Sequence, residues 1–536
     1  MTKSLRQPSV MSHDFSRIPS TDMERSTFNR DHGYKTTMDS GYLIPIFVDE
    51  ALPGDTFSVK LSAVSRLATP IVPFMDNLHM DFFFFAVPNR LLWENWQRFM
   101  GEKDNPDDST DYLVPKVTAP AGGWPIGSIA DYFGIPTGVE YDSVNALHFR
   151  AYNLCWAEWF RDENLQDSPI INKGDGPDPD TDYTILRRGK RRDYFTSCLP
   201  WPQKGDAVDL PIGSQAPVIG IGKNTQTFNP ASLSYYETGG SGPVAYSPYA
   251  TINDVQPDNA WGVQEDPSNP GFPAIYADLS NATAATINSL REAFQLQRML
   301  ERDARGGTRY TEILRSHFKT VSPDARLQRP EYLGGGSTPI MITPIAQTTA
   351  TDIVPDVTPQ GNLAAIGYTS TSGISWTKSF VEHSTLIGMC AIRADLTYQT
   401  GLSRMWSRQT RYDFYWPALA HLGEQEVRNK EIYLQGLEDD EGIFGYQERW
   451  AEYRYKPSLI TGKMRSVDPQ SLDYWHLAQD FSTLPVLNDA FIQDVPPVER
   501  VVAVTDEPQF VTDLFFKCKT TRPMPMYSVP GLIDHF

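Results

Sequence analysis

The sequence predicts a mainly β protein, with one β core built from segments far apart in the chain and with helices and a long insertion carried on its loops. Three observations predict it. Pro and Gly are dense, 42 and 37 in 536 residues, and they punctuate short apolar runs. β-like runs fall before residue 90 and return after residue 339, so two distant groups have to meet in space. The third is "LHMDFFFFAVPNRLLWENW" at 78–96, where Phe82, Phe83, Phe84 and Phe85 stand side by side. Side chains alternate faces along a strand, so two of these rings point each way and both faces need cover.

The elements follow in order. Residues 1–40 are polar and mixed in charge and read as an arm that gains order only by docking on something else. From Gly41, "GYLIPIFVDEALPGDTFSVKLSAVSRL" holds two strands around the turn signal Pro53-Gly54-Asp55, and the phenylalanine run is the third strand. Residues 91–165 turn helical. "VNALHFRAYNLCWAEWFRDENL" sets Leu147, Tyr152, Cys155, Trp156, Trp159 and Phe160 at mostly three- and four-residue steps, giving one strongly apolar face. A turn-rich "DGPDPDTDY" precedes a basic run and a β-like "DYFTSCLPW".

Residues 206–280 differ from their surroundings: Lys223 is the only basic residue against Asp206, Asp209, Glu237, Asp254, Asp258, Glu265, Asp266 and Asp278. This reads as an acidic, extended surface insertion whose ends return to one core. "NATAATINSLREAFQLQRMLERDARGG" then predicts a helix, with Asn281 as its cap, Gly306-Gly307 as its stop, and Ile287, Leu290, Phe294 and Leu300 near one face. "TRYTEILRSHF" predicts a second helix with Ile313, Leu314 and Phe318 inward. From Pro339 on, "PIMITPIAQ", "TLIGMCAIRADLTYQ", "RYDFYWP", "FGYQERWAEYRYKP", "ERVVAVT" and "QFVTDLFFKC" read as β. The expected domains are an arm at 1–40, a core from 41–205 and 281–536, and the insertion at 206–280.

Composition limits the function classes. Hydrophobic residues at 40% and charged residues at 21% describe a globular chain. The formal charge is 47 − 66 = −19, which argues against the whole surface being a nucleic-acid footprint while leaving room for a local basic face. Cys155, Cys198, Cys390 and Cys518 are far apart and form no CxxC or Cys/His cluster, so reduced structural thiols are expected. The N-terminal stretch has no apolar signal region, and the run Phe82–Val87 is too short to span a bilayer. The expectation is a protein made in a cytoplasm that stays soluble, with no membrane insertion.

The chemical motifs are sparse. HExxH and GxSxG do not occur. "VIGIGKNT" at 218–225 imitates a phosphate loop but has Asn224 where Ser or Thr would hold magnesium and Pro217 at the first Gly position, so a glycine-bearing turn is expected. "LEDDEG" at 437–442 gathers Glu438, Asp439, Asp440 and Glu441 without EF-hand spacing and reads as a solvated acidic turn. "LRRGKRR" packs Arg187, Arg188, Lys190, Arg191 and Arg192 into six positions. Such a run is either a salt-bridged surface or a phosphate-facing one. Trp201, Tyr235, Tyr236 and Trp261 lie in or beside the insertion, where they either contact a receptor or glycan or pack the insertion's own small core.

At 299–336, "MLERDARGGTRYTEILRSHFKTVSPDARLQRPEYLGGG" closely resembles the major capsid proteins of gokushovirus-type microviruses, single-stranded-DNA viruses of bacteria. The resemblance continues through "RADLTYQTGLSRMWSRQTRYDFYWPALAHLGEQEVRNKEIY" (393–433), "FGYQERWAEYRYKPSLITGKMRS" (444–466), "LDYWHLAQDF" (472–481) and "RPMPMYSVPGLIDHF" (522–536). "SHDFSRIPS" (12–20) and "GYLIPIFVDEALPGDTF" (41–57) share it. Only the insertion lacks recognisable motifs.

The resemblance implies an eight-stranded antiparallel viral jelly roll, a β-sandwich with long inserted loops and several helices. It implies a T=1 icosahedral shell of sixty identical subunits, assembled in the bacterial host cytoplasm, with the insertion forming outer protrusions near the threefold axes. It also implies partners: packaged circular single-stranded DNA, a small basic DNA-associated protein, a DNA pilot protein, an internal scaffolding protein and a host cell-surface receptor. No cofactor, metal site or catalytic residue is implied. The expected DNA-facing residues are Arg187, Arg188, Lys190, Arg191 and Arg192 with Lys3, Arg6 and Arg17 of the arm. The expected receptor-facing residues are Tyr235, Tyr236 and Trp261. Two rivals are a secreted-type carbohydrate-active β-rich enzyme, disfavoured by the missing leader and motifs, and a nucleic-acid-binding protein, disfavoured by the charge of −19.

Overall fold

The two distant β groups pair into one sheet system. In the computed structural model, residues 24–140, 143–208, 218–219, 221–223, 261–263, 276–277, 287–348 and 361–527 are described. The strands are β1 (Ser26–Asn29), β2 (His32–Met38), β3 (Ile44–Ala51), β4 (Thr56–Leu67), β5 (Leu78–Pro88), β6 (Glu331–Ala346), β7 (Leu363–Ser379), β8 (Ser384–Ala394) and β9 (Phe510–Arg522). Their hydrogen-bonded order is β1-β9-β4-β7-β6-β5-β8-β3, with β2 also on β9, and every pairing among them is antiparallel.

Two long strands turn this ribbon into a sandwich. Glu331–Ile340 of β6 pairs with β5, and Met341–Ala346 pairs with β7; β7 in turn carries the ladder on to β4. The glycines of "YLGGGS" let β6 cross close over β5, since a Cβ on Gly335 would stand 2.1 Å from the Phe82 carbonyl oxygen. The far ends of the ribbon then face each other. Phe47 on β3 lies 5.2 Å from Phe516 on β9, and Phe84 on β5 lies 6.1 Å from Trp376 on β7. This is the jelly-roll β-sandwich, with eight strands on one continuous path and β2 as a ninth.

Sequence alternation places the rings. Phe82 and Phe84 enter the sandwich core with Phe57, Leu61, Leu386, Phe510 and Phe516. Phe85, with Phe83 packed alongside, joins a second core on the outer face, where helix α1 (Leu147–Trp159) lies over β5 and β8 through Phe149, Tyr152 and Cys155. Two neighbouring residues in the first half of α1 fasten it. The Tyr152 hydroxyl donates to the Leu43 carbonyl at 2.9 Å and accepts the Leu186 N–H at 3.0 Å. Arg150 pairs in a fork with Asp178, both oxygens at 2.8 Å and both side chains fully buried, and donates to the Leu92 and Gly174 carbonyls. All four cysteines are free and buried.

The second half of the arm docks on its own chain, where β1 and β2 add to β9. Other segments depart from their expected form. "DYFTSCLPW" is a turn, since the Asp193 carboxylate accepts the N–H groups of Phe195 and Thr196. "RYDFYWP" is not a strand: Asp413 accepts from the Gln409 and Thr410 N–H groups and curls it into a 3-10 turn. "ERVVAVT" holds a 3-10 turn at Val498–Arg500 and one bridge from Val502 to Pro70. β7 was not expected, because its Gly, Ser and Thr content hides its inward positions. In α3 (Tyr310–Phe318), Phe318 is exposed instead of inward.

The chain divides into two compact units, Met1–Pro202 with Gly306–Phe536, and Gln203–Arg305. The second unit therefore takes in most of the helix α2 (Ile287–Gly306), which the expected insertion limits of 206–280 left in the core. Within it, 221–223 pairs antiparallel with 261–263, and 218–219 with 276–277. Phe294, Leu296 and Met299 of α2 are exposed. The expected cap Asn281 lies outside the described residues.

Phe84→Ala should cost about 3–5 kcal/mol and Phe83→Ala, whose ring is only partly buried, roughly half as much. Urea unfolding of the unassembled subunit followed by fluorescence checks the ranking, and equal losses would contradict the inner and outer assignment.

Candidate functional site

The basic run is an extended segment laced between two others. Leu43 N–H donates to the Leu186 carbonyl and Arg188 N–H to the Gly41 carbonyl on one side. Lys190 N–H donates to Ile492 and Asp494 N–H to Arg188 on the other. The fit is close at Gly41, whose φ is +82°: a Cβ there would stand 1.9 Å from the Asp494 carbonyl oxygen. Backbone bonding on both edges holds the stretch that carries Arg187, Arg188 and Lys190.

Each cation has a specific neighbour. Arg187 lies 4.0 Å over the Tyr42 ring and donates to the Asp494 carbonyl at 3.2 Å. Arg188 pairs with Asp81, which also binds Arg393 at 2.8 Å. Burial pushes the Asp81 carboxyl up, but hydrogen bonds from Ser337 and the two arginines outweigh it and hold it below the ordinary range. Lys190 lies 4.4 Å from the Phe491 ring centre. Arg191 is 3.8 Å from Asp395, and Arg192 is 2.8 Å from Asp162. The salt-bridged alternative thus describes most of the run. Arg191 and Arg192 stay 67% and 60% exposed, so their pairs are weak and exchangeable.

The hydrogen bond from the Asp494 N–H to the Arg188 carbonyl, 2.8 Å, sets Asp494 beside this run. Its carboxyl is pushed up from 3.8 to about 7 by burial, against the pull of Lys190, Arg188, Arg393 and Arg187. Burial likewise lowers Lys190 from 10.5 to about 8, against the pull of Asp494 and Asp193.

Other expected sites resolve as follows. Asp440 accepts the N–H groups of Gln435, Gly436 and Leu437, and Glu441 pairs with Arg428 and Lys430, so the acidic cluster is a capped turn. Among the described residues no group of three or more His, Cys, Asp or Glu is placed to hold a metal, and no helix is long and apolar enough to cross a membrane. Lys3, Arg6, Arg17, Tyr235 and Tyr236 lie outside the described residues. Trp261 opens a short strand opposite Lys223.

The sequence reading missed two features. Arg161 and Arg309, remote in sequence, stand beside the basic run around one cleft. The segment 404–416, which overlaps the expected strand "RYDFYWP" only from Arg411 on, holds an aromatic band: Trp406 is 72% and Phe414 51% exposed, with Tyr412, Tyr415 and Trp416 exposed beside them. Arg408 lies 4.3 Å over Tyr453, and Arg411 5.7 Å over Trp416. The density of Trp, Tyr and Arg in "RMWSRQTRYDFYW" was the available signal.

A jelly roll covered on both faces of its central strands is an architecture that viral coat subunits share with lectins and cupins, and the exposed aromatic band has the composition of a protein interface. Comparison with known proteins gives the family. The model of the capsid protein (F protein) family matches residues 16–532. The chain is 49% identical over 532 residues to capsid protein VP1 of Bdellovibrio phage phiMH2K, covering 98% of each. It is 43% identical over 600 aligned positions to capsid protein VP1 of Chlamydia phage 1, covering 99% of this chain and all of that one. Capsid protein VP1 of Spiroplasma virus 4 is 39% identical over 559 positions, with the same coverage. The chain belongs to the capsid protein (F protein) family, in its gokushovirus-type branch, and is a structural virion component and not an enzyme.

The Asp494 and Lys190 shifts fix a pH dependence. Between about pH 4 and 7 the folded chain keeps a proton on Asp494 that the unfolded chain has lost, so this carboxyl makes stability fall as pH rises. Between about pH 8 and 10.4 the unfolded chain keeps the Lys190 proton that the folded one has lost, so stability recovers. Across the first window, thermal midpoints of the wild type should change less favourably with rising pH than those of Asp494→Asn, the difference between the two curves growing from about pH 4 to 7. An unchanged slope in the variant would contradict the assignment.

Proposed function

We propose that the chain forms a closed T=1 shell of sixty copies around a circular single-stranded DNA genome, and that the Gln203–Arg305 unit contributes to attachment to the bacterial host. The observation that carries the assembly reading is the aromatic band at 405–416. An exposed cluster of Trp, Tyr, Phe, Met and Arg is the composition of a protein interface, and a subunit in a shell has to present such surfaces to its copies. Genome enclosure is supported by the basic run, where Arg191 and Arg192 hold exposed, exchangeable pairs. The net charge of −19 repels phosphate overall, which fits a reading in which a small basic protein accompanies the DNA. A DNA pilot protein and an internal scaffolding protein complete the expected partners, with a host cell-surface receptor outside. Host attachment is supported by the composition of the 206–280 region, acidic and rich in Tyr, Gly and Ser.

Sedimentation tests the reading. Wild-type protein should run as megadalton particles, and a Phe414→Asp/Trp416→Asp variant as a folded monomer with unchanged circular dichroism. A wild type that stays monomeric, or a double variant that assembles at full yield, would overturn it. Particles lacking 206–280 should still form but fail to attach to cells, and failed assembly would make that region structural instead.

A further inference from the structure

Phe83 and Phe85, the outward pair of the phenylalanine run, floor a cleft of about 390 Å³ beside the basic run. Phe160 meets Phe83 edge-on at 5.1 Å, and Tyr332 lies 5.5 Å from Phe85 and 5.9 Å from Trp159. Tyr332 is 41% exposed, so one aromatic ring of this wall is open to a ligand. The rim is cationic: Arg161, Arg188, Lys190, Arg192 and Arg309 line it against one lining carboxylate, Asp162.

Three of these charges are already matched, Arg188 by Asp81, Arg192 by Asp162 and Arg309 by Glu163. Among the described residues, Arg161 and Lys190 have no carboxylate within ion-pair distance. The Arg161 Nε is buried without a hydrogen-bond partner, and the Lys190 ammonium faces the ring of Phe491. Burial has already weakened the hold of Lys190 on its proton, and an arriving anion would strengthen it.

The volume falls in the range of about 300–1,000 Å³ found for small-ligand sites. Inorganic phosphate would use the cations and leave the rings wet; an apolar ligand would do the reverse. A flat aromatic group carrying an anion uses both. Bases stack on aromatic faces with little regard to sequence, and nearby cations take the phosphate, which suits a site for a genome of any sequence.

We propose that this cleft takes one nucleotide of single-stranded DNA, its base against the Phe83–Tyr332–Trp159 wall and its phosphate toward Arg161 and Lys190. The inference rests on the genome-enclosing reading above and deepens it, assigning to the cleft a contact made sixty times in the shell.

The test uses the full-length protein and a ten-residue oligodeoxythymidylate bearing 5-bromodeoxyuridine. Irradiation should cross-link it to peptides containing Tyr332, Trp159 or Phe83. In titrations with the labelled oligonucleotide, Tyr332→Ala should weaken binding about tenfold and Tyr332→Phe hardly at all. Lys190→Met should weaken it and lower the slope of log affinity against log salt by about 0.7. Inorganic phosphate should compete only weakly. Cross-links confined to other peptides, or variants that bind as the wild type does, would overturn the cleft. Nuclease protection of DNA inside wild-type particles reads the shell separately: protection without a cleft cross-link removes the cleft and leaves the shell standing.

Discussion

Everything in the first unit depends on two neighbouring strands, β5 and β8, being covered on both faces. β8 is buried at all but one of its eleven positions, and β5 sends Phe82 and Phe84 into the sandwich and Phe85 into the outer core. A sandwich alone covers only the inner face. The outer cover is α1, and it stays in place because Arg150 and Asp178 are fully buried partners that would each be costly alone. Burying that outer face is what allows four adjacent phenylalanines in one strand.

The same outer layer sets the electrostatics. The backbone of 186–190 is bonded to 41–43 on one edge and 492–494 on the other, so Arg187, Arg188 and Lys190 are held at the border of an apolar layer, with Arg191 and Arg192 following directly. Most are spent on Asp81, Asp162 and neighbouring rings. What remains around the cleft is a small positive excess, in a chain whose net charge is −19. A uniformly basic face attracts polyanions without discrimination, whereas a local excess acts only over its own cleft.

Much of the fold was legible in the sequence where one physical signal dominated. β3, β4, β5, β8 and β9 are dense in β-branched and aromatic residues, and α1 repeats its apolar residues at helical spacing. β7 was missed because "GYTSTSG" buries small polar residues through inter-strand hydrogen bonds such as that between Thr369 and the Pro339 carbonyl. "RYDFYWP" and "DYFTSCLPW" have strand composition, but one aspartate in each captures the backbone N–H groups a strand would need. The site was legible only as a basic run. Its partners Asp81, Asp162, Arg161 and Arg309 come from distant positions, and only the folded chain brings them together. The resemblance to coat proteins carried the function, which no short motif could have done.

Native-state hydrogen exchange on the unassembled subunit tests the central claim directly. If β5 and β8 are the doubly covered heart of the molecule, their amides should exchange only through global unfolding. The β9 amides, on a strand with alternate side chains in solvent, should open at lower free energy. Amides of Leu78–Pro88 and Ser384–Ala394 exchanging as fast as those of Phe510–Arg522 would show that the outer layer is not closed, and the account would fail at its base.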